Sequence, residues 1–579
     1  MSARRYFDEE MRYLQEAGAA FAEAHPEAAR YLGAGSVTDR DPYVERLFEG
    51  FAFLTGRVRE RLDDEFPRVT EGLFELLFPH LLRPVPSCAV VEFAPRPGLV
   101  QEPVVLPRGT AVLSRPVGAE DTVCQFATAS PVTLLPLQVA EAAVEWGGAT
   151  SRLRLALDVE RGASLDGGAL GALRLTFNAE APVAAALHLH LTRHVRSVAL
   201  VADGVAVGRL DGQDAVRPAG LAEGEALLPY DARSFAGFRL LHEYLSFRRK
   251  FWAVDVVGLG AIGLPERPER LELVVEWDRA FPDDRRVTAQ NVRLHCAPVV
   301  NVFEADAEPI SVDGTTAEVR VVADARRPRT VEALDVLSVV GVEDETGRRH
   351  PYAPFYQFGD RAARHYTASR RPGPFGPPEL VLTLGGEAGA GGVATPETLS
   401  VRLRCTNGSL PREALREGGL DRMGPGTPQV ATPSNLTRPT ATLRPPTADG
   451  RDSAWALVSH WALSHQSIAS REALAELLGL YDWTADGANR RRIDGVRAVA
   501  ATPEEAFRRG GVVRGTRVTV DVDGAHFGDE GEVALFGLVL SEFLALYATL
   551  NAFVRTDLVV RPTERRLSWA PQRGRIAVV

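Results

Sequence analysis

The chain has 579 residues, 45% of them hydrophobic and 25% charged, and a formal net charge of −10 at pH 7. This is a globular composition with apolar material for about three to four domains, and it excludes a disordered chain. The acidic balance argues against nucleic acid as the main ligand, since that affinity needs a dense basic footprint, and no apolar run approaches the roughly 18 residues of a membrane-spanning helix.

Residues 1–86 read as an all-helical N-terminal unit. From about Arg5 to His25, Phe7, Met11, Leu14, Gly18 and Phe21 recur at four-three-four-three spacing, and His25-Pro26 stops the helix. Asp8, Glu9 and Glu10 suit the positive end of its dipole. Met1 to Arg30 is charged and amphipathic without an apolar leader core, so the expected location is the cytoplasm. Past Gly33, Gly35 and Ser36, Asp41-Pro42 is a strong helix start: the carboxylate accepts from first-turn N–H groups, and proline's fixed φ suits the first helical position. Val44, Leu47, Phe48, Phe51, Leu54, Val58 and Leu62 then make one apolar face of a helix of roughly 20 residues, about 30 Å long. A second apolar run from Val69 to Leu77 follows Phe66-Pro67 and ends before Pro79, Pro84 and Pro86. The aromatic-rich stripe either packs as a private hairpin core or docks on helices of another chain, and the pattern alone leaves both open.

From Ser87 the periodicity changes to short valine- and leucine-rich runs between prolines and glycines, as in Ala89 to Phe93, Val104 to Leu106, Ala111 to Leu113, Arg152 to Val159 and Arg174 to Phe177. Such alternation predicts antiparallel strands, so residues 87–300 form a β-rich domain with helices inserted at Pro182 to about Val195 and Ser234 to about Ser246. Residues 301–417 read as a second β-rich domain, with strands at Ile310 to Val312, Ala317 to Val322 and Leu334 to Val340. Residues 418–452 are rich in Pro, Thr and Gly without apolar period and read as a connector at a domain boundary. Residues 453–579 mix helices (Ala454 to His465, Arg471 to Tyr481, Ala534 to Leu550) with strands (Arg517 to Val522, Val554 to Val560). The fold class expected is α+β multidomain: a helical N-terminal unit, an antiparallel β-rich middle and a mixed α/β C-terminal domain.

The chemical motifs are weak. Gly258-Leu-Gly260-Ala-Ile-Gly263 matches a dinucleotide fingerprint after a plausible strand from Phe251 to Val257, but Pro265 and Pro268 deny it the helix whose N–H groups would meet a pyrophosphate. His188, His190 and His194 place two imidazoles four residues apart on a helix, yet no carboxylate or cysteine lies close in sequence, so a helix face with hydrogen-bonded imidazoles is the better reading than a metal site. His460 and His465, five residues apart, face different sides of their helix. The paired carboxylates at Asp63-Asp64-Glu65 and Asp283-Asp284 are charged element ends, and no G-x-S-x-G elbow or P-loop is present. Cys88, Cys124, Cys296 and Cys405 stand far apart with no C-x-x-C pair, and read as reduced and mostly buried. Lys250 is the single lysine among 66 basic residues. No catalytic, cofactor or metal site is expected.

The stretch from Asp41 to Phe93, DPYVERLFEGFAFLTGRVRERLDDEFPRVTEGLFELLFPHLLRPVPSCAVVEF, resembles the N-terminal signature of the TssF family of type VI secretion baseplate subunits. Tyr6 to Leu14, Phe238 to Phe251 (FRLLHEYLSFRRKF), Cys296 to Ile310 (CAPVVNVFEADAEPI), Tyr352 to Phe358, Leu399 to Leu410 (LSVRLRCTNGSL), Trp455 to Ile468 and Arg492 to Val499 (RIDGVRAV) agree with it in order. Departures are Ser464, where the family pattern has asparagine, and a shorter tract before Arg370. The resemblance implies a structural protein rather than an enzyme, with two copies around one TssG in a baseplate wedge that also holds TssE and TssK. Wedges would surround a VgrG hub, template the tube and sheath, and dock at the cytoplasmic face of the inner membrane through a membrane complex, without direct membrane insertion and without nucleic acid or cofactor. Partner-facing candidates are Tyr6, Tyr13, Phe21, Phe48 and Phe51. The competing class is a stand-alone β-sandwich ligand-binding module or hydrolase.

Overall fold

The structure is a computed structural model that describes residues 7, 10–14, 46–47, 49–55, 74–75, 78–165, 170–230, 234–265, 267–313, 318–356, 364–371, 373, 378–386, 396–445, 470–508, 511–548 and 552–574. The chain divides into two compact units, Met1–Leu82 and Arg83–Val579. In the first unit the described residues at 10–14, 46–47, 49–55 and 74–75 are helical, and a short 3-10 turn covers Pro79–Leu81. The predicted helix from Ala454 to His465 lies outside the described residues.

The second unit is built around a six-stranded antiparallel sheet, here the platform. Its strand order is Leu420–Met423, Ala111–Val117, Thr122–Thr128, Cys296–Val300, Cys88–Pro95, Ala431–Asn435. Val91, Phe93, Val112, Phe126, Val299 and Leu420 bury one face of it. The chain leaves the platform twice and returns both times. After Thr128 it builds two further sheets, a five-stranded one centred on Arg270–Trp277 and a four-stranded one centred on Ala253–Val257 and Ala172–Phe177. After Val300 it builds an eight-stranded sheet whose longest ladder pairs Glu332–Glu343 with Glu397–Thr406. Strand-making here follows period-two burial: Leu271, Leu273, Val275 and Trp277 point inward from one strand, and Leu399, Val401, Leu403 and Cys405 from the other.

Helices close the body. We label α1 Ala181–Arg193, α2 Ala236–Ser246, α3 Arg471–Tyr481, α4 Gly487–Asp494 and α5 Glu530–Tyr547. Asp529 caps α5 by accepting from Glu532 N at 2.9 Å, and the helix is apolar on nearly all sides because it packs against α1, α2 and the strand Phe553–Arg561. Its approach to α1 requires Gly531, where a Cβ would meet the Ala185 carbonyl oxygen at 2.3 Å. Helix α5 is the crossover between two parallel strands, Gly511–Asp523 and Phe553–Arg561.

Several sequence expectations change. Residues 418–452 do not read as a connector where they are described: Leu420–Met423 and Ala431–Asn435 are platform strands. They show no period because they are four and five residues long, and their order comes from Asn435. Its Oδ1 accepts from Leu420 N at 2.8 Å and its Nδ2 donates to the Arg416 and Thr437 carbonyls at 2.9 Å. The platform thus joins strands on both sides of the 300/301 and 417/418 boundaries, and α5 packs on α1 and α2 of the middle, so this helix of the C-terminal segment shares the middle's core. The strand after α2 begins at Ala253, because Arg248–Phe251 forms a 3-10 turn. Cys88, Cys124, Cys296 and Cys405 are free and buried.

Candidate functional site

In the first unit the second predicted helix shows an inverted burial pattern. Leu47, Phe51 and Leu54 lie at steps of four and three on one side of the helix and are 59%, 55% and 62% exposed, whereas Ala52, on another side, is fully buried. Among the described residues, this helix buries an alanine and presents leucine and phenylalanine to solvent. Phe53, at 54%, and Tyr13, at 66%, add to the exposed apolar surface of this unit. Of the five interface candidates, Tyr13 and Phe51 are therefore exposed, and Tyr6, Phe21 and Phe48 lie outside the described residues.

In the second unit, segments that the resemblance singled out meet one another as buried joints. Asn301, on the CAPVVNVF run, and Asn407, on the LRCTNGSL run, join the platform to the eight-stranded sheet. The Asn301 Oδ1 accepts from Thr406 Oγ1 at 2.8 Å and Asn407 N at 2.7 Å, while its Nδ2 donates to Gln125 O and Asn407 Oδ1, both at 2.8 Å. All four hydrogen-bonding positions of that amide are used. The FRLLHEYLSFRRKF run and the RIDGVRAV run meet at Glu532. Arg492 grips this carboxylate with Nη2 at 3.0 Å and Nε at 3.2 Å, Arg248 lies at 3.7 Å, and Arg248 also donates to Asn489 Oδ1 at 2.7 Å. Asn489 Nδ2 reaches the Leu245 carbonyl at 2.9 Å, fastening α4 to the end of α2. Burial pushes the Glu532 carboxyl up, but Arg492, the Gly528 N–H and Arg248 outweigh it and hold it below the usual range.

A third joint uses the only lysine. Lys250 Nζ is paired with Glu243, both fully buried, and Glu243 Oε1 also accepts from Leu227 N at 2.8 Å and Leu228 N at 3.1 Å. Sequence reasoning did not find these joints. The available signal was polar residues inside apolar runs, Asn301 after PVV and Glu243 within LLHEYL, because such residues persist in a core only when hydrogen bonded.

The chemical motifs resolve separately. Gly258 turns with φ +86° into a 3-10 turn, Leu259–Ala261, and no α-helix follows to face a phosphate. His190 lies between the carbonyls of Ala186 at 2.9 Å and Ala280 at 3.2 Å, and His194 Nδ1 meets Asp278 at 2.9 Å. His188 is buried with neither ring nitrogen hydrogen bonded, so the expectation of hydrogen-bonded imidazoles holds for two of the three. No group of three or more His, Cys, Asp or Glu fit to hold a metal occurs among the described residues. A cavity beside Arg174, Glu225 and Lys250 measures about 10 Å³, the size of one water and far below a substrate pocket. No described helix is long and apolar enough to cross a membrane.

Buried polar joints that lock sheets together, with Leu47, Phe51 and Leu54 exposed on a described helix, are features of a structural subunit of a larger assembly. The chain belongs to the TssF family: the family pattern described as "Type VI secretion system, TssF" matches residues 2–576. It is 32% identical to the type VI secretion system component TssF1 of Pseudomonas aeruginosa, over 98% of each chain. It is also similar to a chain in a cryo-electron microscopy structure of a type VI secretion TssK-TssF-TssG baseplate subcomplex, with a TM-score of 0.80 and 35% identity over 91% of this chain and 98% of that one. A chain in a structure of the baseplate complex from the type VI secretion system matches with a TM-score of 0.66 and 32% identity over the full length of both. The chain is a baseplate component of type VI secretion, α+β with antiparallel sheets through its middle.

Proposed function

We propose that this chain is a baseplate wedge subunit that assembles, two copies to one TssG, through the helix face carrying Leu47, Phe51 and Leu54, with Tyr13 and, by sequence pattern, Tyr6, Phe21 and Phe48 contributing. The observation that carries the reading is the exposure of Leu47, Phe51 and Leu54 on a helix whose alanine is buried. Such a stripe meets a partner helix as anchors spaced i, i+4 and i+7. The similar solved subcomplex, which contains TssK, TssF and TssG, supports the choice of partner. TssE, TssK and the VgrG hub complete the wedge in this reading, the joints at Asn301, Glu532 and Glu243 keep the body a rigid spacer, and the ring templates tube and sheath while docked at the inner membrane through the membrane complex. The chain works as scaffold, not enzyme, and needs no cofactor.

The test is co-expression with a TssG-type partner and mass measurement of the purified complex. The parent is expected to give two copies to one. Phe51→Arg, at a position already 55% exposed, is expected to leave the isolated chain folded and to abolish co-purification. A Phe51→Arg chain that assembles at parental yield would remove this face as the contact.

A further inference from the structure

Many of the described arginines are matched by a carboxylate. Arg115 pairs with Asp421, Arg402 with Glu304 and Arg444 with Glu332. Arg412, Arg416 and Arg438, close to those in sequence, are different: none forms an ion pair with any described residue. Their hydrogen bonds go to neutral backbone carbonyls. Arg438 Nη2 donates to Arg412 O at 2.7 Å, and Arg412 Nη1 returns to Pro439 O at 3.3 Å. Arg438 Nε is buried without a partner, and Arg412 and Arg416 stand exposed. Asn435 Nδ2 donates to the carbonyls of both Arg416 and Thr437, which brings the Arg416 backbone beside Arg438, and burial and then the like charges of Arg412 and Arg416 act against the charged form of Arg438. Glu417, the next acidic residue, acts on Arg249 instead.

Clustered like charge that no carboxylate pairs with directly costs stability, and natural surfaces intersperse both signs. The same arrangement is favourable for recognition. Two of the planar forks are anchored by backbone carbonyls, so less freedom is lost when their remaining N–H groups meet an anion. We propose that Arg412, Arg416 and Arg438 form a docking site for the carboxylates of an Asp/Glu-rich segment of a partner protein, distinct from the apolar face at Leu47, Phe51 and Leu54. A nucleic-acid backbone fits less well. Three arginines on a small patch, beside exposed Glu413 and Glu417, do not supply the extended basic track that a phosphate chain follows.

The experiment uses the purified full chain and a fluorescent octaglutamate peptide, read by anisotropy at low and at physiological salt. Arg416→Glu is the main variant, because the Arg416 side chain makes no hydrogen bond or ion pair with any described residue. The control is Arg286→Glu, which alters net charge equally at an exposed site without an ion pair among the described residues. Binding that weakens with salt, falls about tenfold or more in Arg416→Glu and is unchanged in Arg286→Glu supports the proposal. Thermal melting is the second readout. Relief of repulsion predicts that Arg416→Ala melts no lower than the parent, whereas a lower melting temperature shows that Arg416 serves stability and overturns the site. Equal loss in both Glu variants, or none, also overturns it. Tighter binding of a single-stranded oligonucleotide, lost in the same variants, overturns the assignment to carboxylates. Phe51→Arg is expected to bind the peptide as the parent does, which separates this outcome from that of the assembly face.

Discussion

Replacing Arg492 by methionine tests whether the joint at Glu532 holds α5 in place. Both side chains of the pair are 9% exposed, and the carboxylate receives two arginine nitrogens at 3.0 and 3.2 Å and the Gly528 N–H at 3.1 Å. Without Arg492 the carboxylate keeps that N–H and Arg248 at 3.7 Å, so the loss belongs at the low end of a broken buried pair, about 3 kcal/mol. A chain of this size need not unfold in one step, so the assay is hydrogen exchange of the α5 amides, where about 3 kcal/mol is roughly a 150-fold loss of protection. The pH dependence has a definite sign. In the parent, Glu532 has a lowered pKa, and its stabilisation is present above the unfolded carboxyl pKa and lost as pH falls through the folded value. In Arg492→Met burial acts with less opposition, protonation becomes the cheaper state, and the deficit narrows as pH falls through the carboxylate range of about 4 to 5. Arg492→Met/Glu532→Leu is expected to recover much of the loss, because no uncompensated charge remains. Unchanged protection in Arg492→Met, or a double variant worse than the single one, would refute the reasoning.

Other expectations follow from buried groups. Asn301→Asp turns two donated hydrogen bonds, to Gln125 O and Asn407 Oδ1, into contacts between acceptors, and is expected to cost at least about 3 kcal/mol, read as a loss of hydrogen-exchange protection in the strands Cys296–Val300 and Glu397–Thr406. Lys250, 1% exposed at its side chain, is expected to resist amine acylation in the native chain and to react after denaturation, with peptide mass spectrometry as the readout; rapid native labelling would contradict its burial. Burial pushes His188 down to about 4 from 6.5, so the stability that its neutral ring permits is present above 6.5 and lost as pH falls towards 4. That amounts to about 3 kcal/mol at the acid end, and His188→Leu is expected to flatten the fall in melting temperature over this window.

The elements that could be read from the sequence are those whose burial repeats locally. The strand around Arg152 to Val159 and helix α3 announce themselves by period, since each buries a face along its own length. Residues 418–452 could not be read in this way. Leu420–Met423 and Ala431–Asn435 are too short to show a period, and they become strands because the platform offers them open edges and Asn435 ties them together. The joints were hidden for a related reason: Asn301 lies 106 residues from Asn407, and Arg492 lies 40 residues from Glu532.

For the candidate site, the sequence by itself predicts an amphipathic helix with an aromatic-rich stripe from Asp41, because the 3.6-residue period and the Asp-Pro start are local properties, and the described residues 46–47 and 49–55 are helical. It could not decide whether that stripe faces inward or outward, because a core and an interface have the same composition and period. For the described part of the stripe only the tertiary structure decided it, by burying Ala52 and leaving Leu47, Phe51 and Leu54 exposed. Burial depends on what the rest of the chain places against a helix, and no local pattern records that.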